Sequence, residues 1–286
     1  MQKIQSNISK VNAIDLKVDN MSYRRPLSNP ASAADILTGK CLLDENYNIV
    51  YGTMPVPSEI EIITGTISYY NDTEEKIENI GNYAFQYCTS LTSVNFPVCT
   101  AIGVRAFRYC SSLTSVSFPV CTTIGEYAFH GCTSLTSVSF PACIRIGESA
   151  FYNCYNLTSV SFPACIRIGG WAFSNCTSLT SVSFPACTTI GGSAFWDCTK
   201  LASVNSPACT TIYYSAFNNC TSLTSLTLGA STVCTLANTN AFYSTPMSLS
   251  TYTGTFGSLY VPASLVDAYK SATNWATYSS RIGSME

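Results

Sequence analysis

The sequence predicts a repeat solenoid: a β-solenoid of short strands joined by short helical or 3-10 turns, with a small N-terminal module and a C-terminal helix closing its ends. Two observations predict it. Cysteines recur every eleven residues from Cys88 to Cys220, and that interval is half of a 22-residue unit starting at Ile80, Ile102, Ile124, Ile146, Ile168, Ile190 and Ile212. Each unit reads roughly Ile-Gly-x-x-Ala-Phe-x-x-Cys-x-x-Leu-Thr-Ser-Val-Ser-Phe-Pro-x-Cys-x-x. A unit this short cannot bury its own apolar face, so neighbours must stack to complete one continuous core.

The unit at Ile124 shows how. Leu135, Val138 and Phe140 give L-x-x-V-x-F, the strand signature of a leucine-rich repeat. Alternation sends Val138 and Phe140 inward and Ser137 and Ser139 outward. Pro141 lacks an amide donor and ends the ladder. Ile124-Gly125, after the Cys121-Thr122-Thr123 run, reads as a second short strand closing at glycine. Ala128, Phe129 and Cys132 have the i, i+1, i+4 spacing of one helical or 3-10 turn that plugs the coil. Phe85, Phe107, Phe129, Phe151, Phe173, Phe195 and Phe217 then form a buried spine.

The cysteines have three readings: disulfides between coils, metal ligands, or buried thiols. Coils stack at about 4.8 Å, which lies inside the Cα window of a disulfide. Metal sites want ligands paired two to four residues apart, and the cysteine spacing supplies no such pair. Ile77 stands where the next units place Cys99 and Cys121, so the slot wants an apolar group. Buried thiols, packing as small hydrophobes, satisfy that best.

Charge narrows the function classes. Only 10% of residues are charged and the net charge is −2, so no basic field exists to attract nucleic acid or anionic lipid. No stretch has the length of a membrane span, and no signal peptide follows Met1. The expectation is therefore a chain that stays in the cytoplasm, leaves by lysis, or has lost a leader. The single histidine, His130, has no nucleophile or orienting carboxylate at a fixed spacing, so no enzyme, metal or cofactor is expected.

The Ile-Gly-x-x-Ala-Phe-x-x-Cys-x-x-Leu-x-x-Val-x-Phe-Pro motif resembles the BspA-type leucine-rich repeats of bacterial surface and phage proteins. The resemblance covers residues 80–228 and extends less strictly through Ala241-Phe242 to Leu259-Tyr260-Val261-Pro262. Ala263 to Lys270, with Trp275, resembles the family's helical terminal cap. Ser206 departs from the inward apolar position and Tyr213 from the glycine, so the sixth and seventh coils are expected to be locally irregular. The resemblance implies binding or adhesion rather than catalysis.

The domain reading is 1–55 as an attachment or oligomerisation module and 56–79 as the N-terminal cap. The seven repeats occupy 80–233, and 234–286 hold a degenerate last coil and helical cap. Ile4, Val11 and Val18 with Asn7, Ile14 and Met21 fit three heptads, which suits a homotrimer through residues 1–25 or an ordinary amphipathic helix. Ala33 to Lys40, followed by Tyr51 to Met54, resembles a small module of tail and fibre proteins of phages infecting gut bacteria.

Function is expected where the units differ. The strand serines hardly change, whereas the two positions on either side of Ala-Phe change in almost every coil. This ridge carries the expected ligand-binding residues Tyr83, Tyr87, Tyr109, Tyr127, His130, Tyr152, Trp171, Trp196 and Tyr214. Tyr, Trp, Ser, Gly and Asn on a rigid frame have the composition of an antibody-like binding surface, and rings spaced by coil height could stack on sugars. The alternative is that these positions are merely exposed and unconstrained. The expected partner is a protein or glycan on a cell surface. The favoured setting is a virion-associated phage tail fibre or accessory fibre, with a bacterial cell-surface adhesin as the runner-up and an intracellular scaffold as the third reading.

Overall fold

Each unit supplies two short strands, and each strand lies parallel to its equivalents in neighbouring coils. The computed structural model describes residues 17–18, 21–22, 65–68, 78–248 and 257–285, and the molecule is a parallel β-solenoid. One edge is an unbroken eight-stranded ladder from Asn79–Ile80 to Thr235–Leu236, pairing Ile102 with Ile124, Ile124 with Ile146, and so onward. The opposite face carries the Ser-Val-Ser strands. It divides into three ladders, with breaks between Ser115–Ser117 and Ser137–Ser139 and between Ser159–Ser161 and Ser181–Ser183. Val138 and Phe140 point inward and Ser137 and Ser139 outward, as alternation requires.

The glycine after each isoleucine sets how closely coils approach. A Cβ on Gly125 would lie 2.6 Å from the carbonyl carbon of Gly103. Backbone therefore packs on backbone along this edge, and the Gly125 amide donates to the Ile102 carbonyl at 2.8 Å. Tyr213 replaces this glycine in the seventh coil, yet its amide still reaches the Ile190 carbonyl at 3.0 Å and its ring is exposed.

Two columns of phenylalanine fill the interior. Phe85, Phe107, Phe129, Phe151, Phe173, Phe195, Phe217 and Phe242 stack with centroids 5.0–5.4 Å apart and planes within 8°. Phe96, Phe118, Phe140, Phe162 and Phe184 form the second column at 5.4–6.1 Å. Tilted and edge-on contacts join the columns, so rings such as Phe107, Phe118 and Phe129 meet both a face and an edge. The second column stops at Ser206, which is fully buried with its Oγ unpartnered. The expected irregularity is thus one of packing: Ser203–Asn205 still pairs in register with Ser225–Thr227.

Thirteen free cysteines, Cys99 to Cys234, are buried. Cys88 is not among them, being disulfide-bonded. The thiols after Ala-Phe donate to the phenylalanine carbonyl of the preceding coil, as Cys132 does to Phe107 at 3.1 Å. The thiols after Pro turn to the carbonyl two residues on, as Cys143 does to Arg145 at 3.3 Å. Even Cys209 and Cys234, with Sγ atoms 4.0 Å apart, share a thiol–thiol hydrogen bond rather than a disulfide. Burial pushes most of the thiols up, Cys165 to about 11 and Cys121 and Cys187 to about 12, whereas the hydrogen bond with Cys234 lowers Cys209.

The C-terminal end is closed by Ala263–Leu265, the helix Val266–Ser271 and the 3-10 turn Trp275–Arg281. Trp275 Nε1 donates to the Cys234 carbonyl at 2.6 Å, the Cys234 amide donates to Tyr269 Oη at 2.9 Å, and Tyr278 sits edge-on to Phe242. These contacts satisfy the polar groups that the last coil would otherwise leave open. At the other end, Lys17–Val18 pairs antiparallel with Met21–Ser22. Val18 and Met21 thus lie on paired strands, which corrects the expectation of a helix running through them. The remainder of the heptad reading and the module at Ala33 to Met54 lie outside the described residues. Among the described residues no helix is long and apolar enough to cross a membrane.

Iodoacetamide at pH 8 should leave the thiols from Cys99 to Cys234 unmodified in the native protein and alkylate them in denaturant, as read by mass spectrometry. Phe151→Ala should cost about 3–5 kcal/mol in denaturant titration. Ser206→Ala should instead stabilise by about 1 kcal/mol, because it removes an unsatisfied buried hydroxyl.

Candidate functional site

The variable ridge is built by an unusual division of backbone hydrogen bonds. In the third coil the amides of Tyr127, Phe129 and Gly131 donate to Glu148, Ala150 and Tyr152 of the next coil at 2.7–2.8 Å. The intervening amides turn back locally, His130 to Tyr127 at 3.2 Å and Cys132 to Phe129 at 3.1 Å. Local bonds alone would make the expected 3-10 turn. Alternating them with coil-to-coil bonds forces the residues at the second variable position and the fourth into the left-handed region. All seven coils do this, including Tyr83, Arg105, Tyr127 and Trp171 at the first of these and Tyr87, Tyr109 and Asn153 at the other. The cost is about 1–2 kcal/mol for each residue other than glycine, and less for Asn or Asp. The backbone of the ridge is therefore fixed coil by coil, whatever side chain it carries.

The N-terminal half is aromatic and cationic. Tyr87 and Tyr109 stack at 5.2 Å, Tyr109 meets His130 edge-on at 5.1 Å, and His130 stacks on Tyr152 at 5.0 Å. Beside this row the Arg105 guanidinium lies between Tyr83 and Tyr127, 5.6 and 5.4 Å from their centroids. Arg108 lies 4.6 Å from Tyr109. The hydrogen bonds of both guanidiniums go to phenols, Arg105 to Tyr83 Oη and Arg108 to Tyr109 Oη, each at 3.4 Å. Their Nε atoms are buried with no acceptor.

The C-terminal half differs. Asn175 Nδ2 donates to Asn153 Oδ1 at 2.8 Å and to Tyr152 Oη at 3.3 Å, and Asn219 donates to Asp197. Trp171 and Trp196 make no ring contact among the described residues, and Trp196 and Tyr214 are exposed. The Tyr214 ring lies over Gly192, where a Cβ would come within 2.6 Å of it. Gly131 plays the same part under Tyr109, with 2.4 Å to the ring.

All nine expected site residues fall on this ridge, but in different states. Tyr83, Tyr87, Trp196 and Tyr214 are exposed; Tyr109, Tyr127, Tyr152 and Trp171 are half-buried. His130 is 8% exposed and supports the tyrosines around it. Arg105 and Arg108 were not among the nine, although they sit at variable positions and contact three of the expected tyrosines. Gly131 and Gly192 were also missed, since a glycine in a variable series signals a neighbouring ring only once coils are stacked. Among the described residues no group of His, Cys, Asp and Glu could hold a metal ion.

Burial, then the charges of Arg108 and Arg105, lower the His130 pKa from 6.5 to about 4. Folded protein thus binds this proton less readily than unfolded chain. Stability should be independent of this group above pH 6.5 and fall as pH drops from 6.5 toward 4. NMR titration of the chain's single imidazole should give a midpoint near 4. His130→Gln, the residue type found buried at Gln86, should flatten the stability slope in that window.

The model for the "BspA type Leucine rich repeat region" matches in six copies over residues 71–166 and 144–260. A leucine-rich repeat protein from Eubacterium ventriosum is 24% identical at a TM-score of 0.53, covering 66% of this chain and 50% of that one. A leucine-rich repeat protein of T. pallidum is 26% identical, covering 67% of this chain and 86% of that one, with a TM-score of 0.46. A leucine rich cell surface protein from Faecalibacterium prausnitzii is 22% identical, covering 69% and 70%, with a TM-score of 0.46. No curated protein matches.

Proposed function

The chain belongs to the BspA-type leucine-rich-repeat proteins, and from that premise we propose that it is a non-catalytic recognition protein that adheres to a protein or glycan through its variable ridge. The family is one of interaction modules, often at cell surfaces, and no catalytic family matches. What carries the reading is the contrast within each coil. The backbone at the ridge is pinned by coil-to-coil hydrogen bonds while its side chains change, and the strand face keeps its serines. Such a frame presents different chemistry at fixed positions without ordering loops on binding, which lowers the entropic cost of association.

The setting we favour is a bacterial cell-surface adhesin, because it is the common one for the family. The phage tail-fibre setting and the homotrimer rest on residues 1–55, whose motifs lie almost wholly outside the described residues. Light scattering on the full chain and on a chain lacking residues 1–55 separates them: the fibre reading requires a trimer that becomes a monomer.

The ridge reading is tested by screening the full chain on glycan and protein arrays and then comparing two sets of variants. Substituting Tyr87, Tyr152, Trp196 and Tyr214 with alanine should weaken the best ligand at least tenfold. Substituting Ser137, Ser159 and Ser181 on the strand face should leave it unchanged. The reverse pattern contradicts the proposal.

A further inference from the structure

The ridge was expected to offer ring faces to sugars, and its N-terminal half does not offer them freely. Tyr87 and Tyr109 face one another, His130 and Tyr152 face one another, and the faces of Tyr83 and Tyr127 hold Arg105. What such stacked rings leave available is their edges, which carry the positive part of the ring quadrupole, and their hydroxyls. Tyr83 and Tyr109 each accept from an arginine through Oη, so each phenolic proton remains for an external acceptor. Two guanidiniums three residues apart complete a surface of donors.

Resting on the ridge-recognition reading above, we propose that Arg105, Arg108, Tyr83 and Tyr109 form an anion subsite that takes the carboxylate of an acidic sugar, a uronic or sialic acid.

Three observations favour this ligand. First, each guanidinium makes one hydrogen bond, from a terminal nitrogen to a phenol at 3.4 Å, and pairs with no carboxylate among the described residues, so terminal N–H donors remain for a ligand. A planar carboxylate matches the guanidinium fork in two parallel bonds. Second, exposed Glu126 and Glu148 stand at the first variable position of the next two coils. They oppose a polymer carrying several charges on each sugar but accommodate one carboxylate per sugar. Third, the exposed Trp196 and Tyr214, four and five coils further on, are free of ring partners among the described residues. They provide the sugar-stacking faces that the N-terminal half lacks, so one chain of sugars can use both halves.

The buried imidazole helps hold the cluster. His130 is neutral near physiological pH and adds no charge, while Tyr109 and Tyr152 pack on its edge and face.

The test uses the full chain with two probes, oligogalacturonate and sialyllactose, each beside its counterpart with the carboxylate reduced to an alcohol. Titration calorimetry at two salt concentrations is the readout. The variants are Arg105→Asn with Arg108→Gln, asparagine being tolerated in the left-handed region, and Arg105→Lys with Arg108→Lys. The second pair keeps the charge but loses the planar fork, so it remains informative if the first fails to fold. At least one acidic probe should bind, and reduction or the Asn/Gln pair should each weaken it at least tenfold; the Lys pair should weaken it less. Preference for one probe tells uronic from sialic acid. Equal binding of the reduced probe, indifference to both pairs, or no binding of either acidic probe overturns the subsite. Those results leave ridge recognition standing if the array ligand is still lost on Trp196→Ala.

Discussion

Everything in this molecule depends on the stacking of each coil on the residue 22 positions away. Gly125 against Gly103 shows the constraint at its tightest, because backbone meets backbone with no space for a methyl group. That contact sets the coil spacing. It places Ile124 between Ile102 and Ile146, each phenylalanine ring on its equivalent, and the ridge amides opposite the carbonyls of the next coil. The Ile-Gly edge is one ladder throughout, while the serine face breaks twice. Continuity is thus carried by the glycine edge, the ridge and the phenylalanine column rather than by the broader strands.

Much of this was legible in the sequence because a repeat states its own contacts. Once the period is known, Phe129 must lie against Phe107 and Phe151, and alternation decides which of Val138 and Ser139 is buried. The thiols were legible for the same reason, since Ile77 reports what the cysteine slot accepts. Other features were not. Left-handed φ at Tyr83, Arg105 and Trp171 has no sequence signature; Asn153, Asn175 and Asn219 hint at it, but aromatic residues argue against it. The competition between local and coil-to-coil hydrogen bonds becomes visible only when both coils are in place.

The site was legible as a location and not as chemistry. Variation between otherwise identical units marked the ridge, yet a position-by-position comparison treats each coil alone. Arg105 gains its meaning from Tyr83 one coil before and Tyr127 one coil after, and His130 from Tyr109 and Tyr152. Stacking narrows one expectation in the N-terminal half: Tyr87 packs face to face on Tyr109 and Tyr152 on His130, so those faces become internal structure and the edges and hydroxyls become the surface. The strain of left-handed tyrosine, arginine and tryptophan is held by the hydrogen bonds of the ridge, which keep this surface rigid.

The central claim is that register repeats every 22 residues and not every eleven, despite the eleven-residue cysteine period. Deleting residues 146–167 removes one whole coil, and deleting 146–156 removes half of one. Circular dichroism with thermal melting on the two deletions tests the claim directly. The account predicts that the whole-coil deletion keeps a β-rich, cooperatively melting fold, whereas the half-coil deletion sets the Ile-Gly edge against the serine strand and does not fold. Equal tolerance of both deletions, or unfolding of the whole-coil deletion, would contradict it.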